Sequence, residues 1–472
     1  MTPTIHGDAI ARLNVGAAAS ARIDPVGAHV GNGFRVEHFR LGNGLQVLVW
    51  EDATAPVFAF QSWVKVGSRH DPVGRSGMAH LFEHLMFKAT VSRPEGTYDR
   101  LMEARGGQNN AATWVDWTYY RAKLPRWELD FVCELEADRI VNLALAADML
   151  EREREVVVNE RLMRVDNDPD GKLYEAIYRT AFGDHPYGVP TIGWMEDIRA
   201  ITLADCLDFY RTYYAPNNVT LVVVGDVATA DVLARVQAHY GSFAHQAIPA
   251  EAARPLPPTE GGPRRLELTL PLATARMVVA WPAVPAGTPD HAALELAASI
   301  LSDGESSRLH RALVEEHELA LDVSSWVASC HDAGLFEVSM ALRPGVDPAR
   351  AEAVLHEALA AFLAGPLTPR ELMKAQNGLE AGFLKGQADA GTRARQLGHA
   401  LVATGRWNEV FEEQALLRET TADDILRVAR TIMTPERQTI AWALPAAPAP
   451  DEDGEGDESE DDAPEGESGE AT

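Results

Sequence analysis

Alternating apolar and polar residues predict a β-hairpin near the start of the chain. The Gly-Asn-Gly sequence at residues 42–44 lies between two segments with apolar residues, a preceding strand and residues 45–50. An Asn-Gly pair between alternating apolar residues is one of the strongest short-range signals for a hairpin. Further elements follow in the first half: helices around residues 80–84, near residues 98–104 and up to residue 240, and strands near residues 57–66, 110–113, 118–124 and 219–224.

The second half of the chain repeats this order of elements. A Pro- and Gly-rich segment at residues 248–263 is typical of a linker. After it come strands at residues 266–270 and 276–281, a helix from residue 292, a strand pair, three or four helices and a last strand at residues 438–444. The pattern predicts an α+β fold with two α/β halves that face each other across a cleft. The predicted domains are an N-terminal extension (1–35), a first domain (36–245), a linker (246–264), a second domain (265–445) and a tail (446–472).

Charge is concentrated at the C-terminus. Residues 451–472 contain 12 Asp and Glu residues and no Lys or Arg. The formal net charge of the whole chain is −28, so the rest of the chain carries −16. Such an acidic surface makes nucleic acid an improbable partner. The tail is predicted to be disordered. It is either a binding arm or a solvated segment without a specific partner.

Cysteine content and hydropathy argue against a disulfide-rich protein and against a membrane-spanning one. Cys133, Cys206 and Cys330 are widely separated, which favours free thiols over a disulfide framework. No apolar run approaches the 18 residues of a membrane span. The first residues lack the apolar core of a signal peptide, so we expect a cytoplasmic protein, or a periplasmic one if the start is processed.

One short motif carries candidate chemistry. Residues 80–84 read His80-Leu81-Phe82-Glu83-His84. At about 100° per residue, a helix places both histidines and Glu83 on one narrow stripe of an otherwise apolar surface. A buried polar stripe is costly unless its groups are satisfied, and Zn²⁺ would satisfy two imidazoles at this spacing. The alternative is a helix with two ordinary histidines and a surface glutamate.

A third ligand is expected downstream, in a charged helix at residues 150–165. Glu153 and Glu160 lie seven residues apart and therefore on roughly the same face. The three valines at residues 156–158 indicate that this turn is buried. Spacing leaves the choice between the two glutamates open, and each of them is equally compatible with a solvated helix face.

Several segments together resemble the pitrilysin family of inverted-motif (H-x-x-E-H) zinc peptidases, especially its short bacterial members and the mitochondrial processing peptidase. The resemblance extends over about residues 36–445 and includes LGNGLQVLVWED, GMAHLFEHLMFK, GGQNNAATWVDWTYY, ERERE–VVVNE, HPYGVPTIGWMEDI and NNVTLVVVGDV. It implies the mitochondrial processing peptidase-like metallohydrolase fold of two homologous α/β-sandwich halves. Residues 36–245 would then be the zinc-binding catalytic domain, and residues 265–445 an inactive repeat.

The resemblance also implies roles for individual residues. Glu160, with 75 residues between it and His84, matches the family's third ligand, and Glu153 matches an acidic position that supports the site from outside. His80, His84 and Glu160 would hold one Zn²⁺ per chain, with Glu83 as the base in peptide-bond hydrolysis. Asn110 and Ala111 match a strand that pairs with the substrate backbone, although Asn110 is also compatible with a turn.

The second half departs from the family pattern at two positions. Active relatives have an arginine and a tyrosine seven residues apart that hold the substrate, and the matching residues here are Val314 and Leu321. Neither side chain can donate a hydrogen bond. We therefore expect the zinc-bearing subunit of a heterodimer whose homologous partner supplies the Arg/Tyr pair. The alternatives are that another group replaces the pair, or that the chain is a non-catalytic core subunit of a complex.

Overall fold

Two β-sheets, one in each half of the chain, organise the fold. In this computed structural model, residues 4–31, 33–250, 254 and 262–446 are described. Apolar residues occupy both faces of most central strands, so each sheet is covered by helices on both sides.

The first half contains seven strands in the order β1-β2-β3-β7-β4-β6-β5. Only the β3–β7 pair is parallel among the strand pairs of this sheet that the structure describes. Its strands are β1 (Ile23–Gly31), β2 (Phe34–Leu41), β3 (Gln46–Glu51), β4 (Val57–Val64), β5 (Gln108–Thr113), β6 (Thr118–Pro125) and β7 (Val219–Gly225). Its helices are α1 (Gly7–Leu13), α2 (Met78–Leu85), α3 (Thr97–Ala104), α4 (Leu129–Asn142), α5 (Ala147–Arg161), α6 (Pro169–Phe182), α7 (Met195–Ala200), α8 (Leu203–Tyr213) and α9 (Thr229–Tyr240).

The second half contains five strands in the order β10-β11-β9-β12-β8. Its strands are β8 (Arg264–Leu270), β9 (Arg276–Pro282), β10 (Ala320–Val327), β11 (Leu335–Leu342) and β12 (Thr439–Pro445). Its helices are α10 (Pro289–Ser302), α11 (Pro348–Ala364), α12 (Pro369–Gly386), α13 (Ala390–Thr404), α14 (Glu409–Glu419) and α15 (Ala422–Ile432). Two π-helical turns, Leu162–Asp166 and His310–Glu316, lie in the first and second halves respectively.

The two sheets have the same topology. The order β8-β12-β9-β11-β10 matches β3-β7-β4-β6-β5, and each pair has the same parallel or antiparallel sense as its counterpart. Helix α10 follows β9 as α2 follows β4, and both precede the next strand of their sheet. The predicted α+β fold with two homologous halves is confirmed.

One helix from each half packs on the sheet of the other half. Helix α6 packs on the second sheet, where Leu173 and Ile177 share a buried cluster with Val278. Helix α13 packs on the first sheet, where Leu397 shares a cluster with Trp63. Because each sheet needs the other half to cover one face, the halves are held together by buried apolar contacts.

Several details differ from the sequence-based expectations. Residues 1–35, predicted as an extension, contribute α1 and the strand β1, which pairs with β2 along the edge of the first sheet. The helix expected over residues 150–165 ends at Arg161 and continues as a π-helical turn. In the expected valine turn, Val157 and Val158 are buried but Val156 is 48% exposed. Five helices, not three or four, follow the second strand pair.

Other expectations concern the termini, the thiols and the membrane. The three cysteines are free and buried. No helix within the described ranges has both the length and the apolar character that crossing a bilayer requires. Most of the predicted linker, and the tail beyond residue 446, lie outside the described residues.

Candidate metal centre

Helix α2 begins at a tightly packed glycine. Gly77 has φ 87°, a left-handed conformation, and a Cβ there would clash with the Ile192 carbonyl. The Asp71 carboxylate accepts hydrogen bonds from the backbone N–H groups of Gly77 (2.7 Å) and Ala79 (2.9 Å). It therefore satisfies donors at the start of the helix that have no partner within the helix.

The polar stripe predicted for α2 is present. Leu81, Phe82 and Leu85 are fully buried in the core of the first half. The side chains of His80 and His84 are partly buried, at 12% and 22% exposure. The apolar side of α2 therefore fixes the direction in which the two imidazoles point.

Helix α5 brings Glu160 to the two histidines. Its Oε2 atom lies 3.6 Å from His80 Nε2 and 3.3 Å from His84 Nε2. Ligands of one tetrahedral zinc ion, with bonds of about 2.0–2.2 Å, lie roughly 3.4 Å apart. The donor set of two imidazole nitrogens and one carboxylate oxygen therefore fits a zinc ion, and it leaves a fourth position open.

Glu153 lies one layer outside this group. Its Oε1 atom is 2.9 Å from His84 Nδ1, and its Oε2 atom is 2.6 Å from Lys88 Nζ. A carboxylate on the outer ring nitrogen sets the tautomer and orientation of a metal-binding histidine. Glu160 faces both Nε2 atoms, whereas Glu153 faces the opposite side of one ring, and this geometry favours Glu160 as the third ligand.

The charges suit cation binding. Burial, together with neighbouring His84, lowers the pKa of His80 to about 4, so its imidazole is neutral at pH 7. Burial opposes protonation of His84, but its contacts with Glu153 and Glu160 outweigh that effect and raise its pKa to about 9. The hydrogen bond from His84 lowers the pKa of Glu160, which is therefore ionised. A metal ion would replace the proton that the two carboxylates otherwise retain on His84.

Glu83 lies on the same helix beside these three residues. Burial raises the pKa of its carboxyl group, and the Thr113 hydroxyl nearby partly offsets the shift. Thr113 is the last residue of β5, which packs against α2. A raised carboxyl pKa brings the group closer to the range in which it exchanges protons at neutral pH.

Strand β5 ends the first sheet, with β6 as its neighbour. Asn110 is exposed and Ala111 is half-buried on this strand. The Asn110 side chain accepts a hydrogen bond from the Ala111 backbone N–H at 2.9 Å. The strand whose edge was predicted to pair with substrate therefore lies beside the candidate metal centre, although one of its N–H groups is already engaged.

The two positions that depart from the family pattern lie in the second half. Val314 is half-buried in the π-helical turn and packs against the core. Leu321 lies on β10 with 56% of its surface exposed. Leu321 borders a cavity together with Tyr174 and Arg276, and Arg276 is ion-paired with Asp170.

Some contributors to the site were not identified from the sequence. Lys88 and Arg164 neutralise Glu153 and Glu160, and Arg164 Nε lies 3.0 Å from Glu160 Oε1. Lys88 lies four residues after His84 and Arg164 four residues after Glu160, and this helical spacing could have identified both from the sequence. An apolar cavity of about 400 Å³ was not predictable, because Trp114, Tyr174 and Trp326 come from distant segments of both halves.

Comparison with known families matches most of the chain. Residues 46–193 match the family described as insulinase (peptidase family M16), and residues 200–379 match the peptidase M16 inactive domain. The chain belongs to the M16 peptidase family. The pitrilysin-type resemblance is thereby confirmed, and His80, Glu83, His84 and Glu160 all fall within the first M16 match.

Curated M16 relatives include proteins named as zinc proteases. Zinc protease PqqE of Helicobacter pylori is 32% identical over 417 residues, which cover 87% of this chain and 93% of that protein. An uncharacterized zinc protease of Mycobacterium leprae is 31% identical over 79% of this chain and 83% of its own length. These names associate zinc and proteolysis with M16 proteins of this length.

Solved M16 structures share the fold. A protease from Helicobacter pylori has a TM-score of 0.82 at 29% identity, covering 87% of this chain and 99% of that one. Pitrilysin, at 17% identity, has a TM-score of 0.76 over 89% of this chain and 46% of its own. The second likeness concerns the fold alone.

Proposed function

We propose that this M16 protein is a zinc-dependent endopeptidase that acts on peptides or short unfolded polypeptides, and that it is the catalytic zinc subunit of a heterodimer. The convergence of His80, His84 and Glu160 within 4.8 Å of one another is the observation that supports the activity most strongly. The names of its curated relatives support the same chemistry.

Each residue of the site has a distinct task. His80, His84 and Glu160 would hold one zinc ion, which supplies Lewis acidity that polarises a carbonyl and acidifies water. Glu83 accepts the proton of the attacking water and transfers it to the leaving amine. Glu153 orients His84, and Lys88 keeps the Glu153 carboxylate ionised.

The surroundings suit an extended peptide. The outer edge of β5 offers backbone hydrogen-bonding groups beside the centre, and such pairing is largely independent of sequence. The apolar cavity formed by Trp114, Tyr174 and Trp326 is large enough for an apolar side chain. Thr113 lies near the Glu83 carboxyl group, and the next residue, Trp114, borders the cavity, so the cavity lies close to the candidate base.

The exposed Leu321 and the half-buried Val314 support a requirement for a partner. Neither can hydrogen-bond a substrate carbonyl, and the loss of one such donor costs about 10²–10³ in rate. A homologous chain with an Arg/Tyr pair would restore this function. The rival candidate, a non-catalytic subunit of a larger assembly, is favoured by the same two substitutions.

The first test replaces the base. Glu83→Gln should retain zinc and lose about 10²–10⁴ in hydrolysis of a quenched peptide. His80→Ala should lose both the zinc held at this site and the activity. Activity that survives Glu83→Gln would contradict the role of Glu83 as the base. If the His80→Ala variant bound as much zinc as the wild type, the non-catalytic candidate would be favoured.

The second test concerns the partner. The purified chain should hydrolyse the quenched peptide slowly, and a homologous chain that carries the Arg/Tyr pair and lacks the zinc motif should raise the rate. A lone chain with full activity would contradict the heterodimer. In that case Tyr174→Phe would show whether the tyrosine beside Leu321 replaces the missing donor.

A further inference from the structure

A second group of potential metal ligands lies in the half of the chain that lacks the zinc motif. It consists of His291 and Glu295 on α10 and Glu413 on α14. One ligand atom from each residue lies within 4.8 Å of the other two, and His291 Nδ1 is 3.9 Å from Glu295 Oε1.

The position of this group in the fold mirrors that of the first centre. Helix α10 is the counterpart of α2 in the repeated topology. His80 and His84 are the third and seventh residues of α2, and His291 and Glu295 are the third and seventh residues of α10. The third residue of each group comes from a different helix. Glu160 lies on α5, the second helix after β5 and β6, whereas Glu413 lies on α14, the fourth helix after β10 and β11.

His291 is set up as a ligand. It is 1% exposed, and its Nε2 atom lies 3.4 Å from the Ala328 carbonyl oxygen, which can only accept a hydrogen bond. In the tautomer that donates to this carbonyl, the proton is on Nε2 and Nδ1 presents a lone pair. Nδ1 is buried without a hydrogen-bond partner among the described residues, and it points toward Glu295. A backbone carbonyl on the outer nitrogen is a common support for a metal-binding imidazole.

The two carboxylates lack a compensating cation. Among the residues that the structure describes, neither Glu295 nor Glu413 is ion-paired with a lysine or arginine. Burial and the nearness of Glu413 raise the pKa of Glu295 well above its usual range. Burial, with a contribution from Glu409, raises the pKa of Glu413 to about 7. The two carboxyl groups lie close enough that they cannot both be ionised without repulsion, and a bound cation would relieve that repulsion.

A cavity gives access to the group. It has a volume of about 250 Å³ and is bordered by Glu295, Glu413, Gln396 and His399. An ion entering there could complete its coordination with water, because three protein ligands leave positions open.

We propose that His291, Glu295 and Glu413 form a second site for a divalent transition metal, zinc or manganese, that joins α10 to α14. One imidazole nitrogen and two carboxylate oxygens are a donor set that suits these ions. Helix α14 directly follows α13, which covers the first sheet, so the ion would stabilise the second half where it meets the first. The proposal is independent of peptidase activity and changes the expected metal content from one ion to two.

Metal stoichiometry of the full chain tests the proposal. The chelator-treated chain is incubated with ZnCl₂ or MnCl₂, passed over a desalting column and analysed for bound metal. The wild type should bind two equivalents of zinc, and the Glu295→Gln/Glu413→Gln variant one. The His80→Ala/His84→Ala variant should retain one equivalent, and the combination of all four substitutions should retain none.

A matched control separates a built site from surface binding. Glu352 and His356 on α11 have the same spacing as His291 and Glu295 and lie 3.8 Å apart, but His356 is 36% exposed. His356→Ala should leave both equivalents in place. A wild type that binds only one equivalent, or a Glu295→Gln/Glu413→Gln variant that binds two, would overturn the proposal.

Thermal unfolding provides a second readout. In the His80→Ala/His84→Ala background, zinc should raise the melting temperature because it binds only the folded state. Adding Glu295→Gln and Glu413→Gln should remove that shift while the chain remains folded, since glutamine preserves the shape of each side chain. A zinc-induced shift of the same size in the four-fold variant would contradict the assignment.

Discussion

The two histidines of the first centre differ in what holds their outer ring nitrogens. His84 Nδ1 lies 2.9 Å from the buried Glu153 carboxylate. His80 Nδ1 is buried and has no partner within the described part of the chain. Glu153 therefore orients the His84 ring from its outer side, and at the proposed zinc site it is the residue through which we expect zinc affinity to be adjusted.

Replacing Glu153 should weaken zinc binding without removing a ligand. For Glu153→Gln we expect a loss of about 10–100-fold in zinc affinity, because the carboxylate no longer supports His84. Competition with a chromogenic chelator measures it. Glu155→Gln, an exposed position on the same helix, is the matched control. Equal affinities of the two variants would show that Glu153 does not act on the metal.

A buried acid in the second half predicts a pH dependence of stability. Glu337 is fully buried, and burial raises its pKa to about 7, although its carboxylate accepts a hydrogen bond from the Tyr178 hydroxyl at 2.5 Å. The folded state holds this proton more tightly than the unfolded state, so stability falls as pH rises from about 4.5 through about 7.

Glu337→Gln should remove this component. From about pH 5.5 to about pH 8, the free energy of unfolding of the variant should gain about 2 kcal/mol relative to wild type. Urea unfolding at the two pH values measures it. Glu357→Gln, an exposed glutamate on α11, should leave the difference unchanged. A constant offset between Glu337→Gln and wild type would contradict the raised pKa.

Helix α13 shows how an element can belong to one half in sequence and to the other in packing. It lies directly on β4 and β7 of the first sheet. Its Gly398 leaves no room for a side chain, because a Cβ there would overlap the indole ring of Trp63. The buried Gln61 side chain donates a hydrogen bond to the Gly391 carbonyl at 2.8 Å. The helix is thus fitted closely to the sheet that it covers.

Two glycine substitutions separate packing from helix propensity. Gly398→Ala should lower the free energy of unfolding by about 1–3 kcal/mol, since the methyl group overpacks the contact with Trp63. Gly382→Ala on α12, where the added Cβ meets open space, should raise it by about 0.5–1 kcal/mol. Denaturant unfolding compares the two. Stabilisation by both substitutions would show that α13 can move away from the sheet.

The two halves also meet through a buried ionic group. Arg69 of the first half lies 3.0 Å from Asp116 and 2.8 Å from Asp332 of the second half. Tyr187 donates a hydrogen bond to Asp116 at 2.7 Å and accepts one from the Asp332 backbone. Asp116 also accepts a hydrogen bond from the backbone of His331. Charged groups of one half are therefore paired with groups of the other, and this favours a fixed arrangement of the two halves.

Removing the central cation should destabilise the whole chain. Arg69→Ala leaves Asp116 buried without its partner, and we expect a loss of about 3–5 kcal/mol in the free energy of unfolding. Arg126→Ala, which breaks the exposed pair with Asp226, should cost less than about 1 kcal/mol. Chemical unfolding measures both. Similar small losses would mean that the Arg69 group does not join the halves.

Local patterns predicted much of the fold and part of the site. The hairpin, the order of strands and helices and the polar stripe on α2 all depend on neighbouring residues, whose periodicity reflects which face is buried. The edge strand β1 was missed, because its partner β2 rather than its own pattern makes it part of the sheet. The linker and tail predictions concern mainly residues outside the described ranges.

Contacts between residues that are distant in sequence determined the features that local patterns did not predict. The amino-acid sequence was sufficient for the element order and for the helical spacing of His80, Glu83 and His84, because both are short-range properties of the backbone. Only the tertiary structure distinguishes Glu160 from Glu153, exchanges α6 and α13 between the sheets and brings Glu413 to His291. Such pairings depend on how whole helices pack, and spacing along the chain does not encode which of several similar side chains will face a given atom.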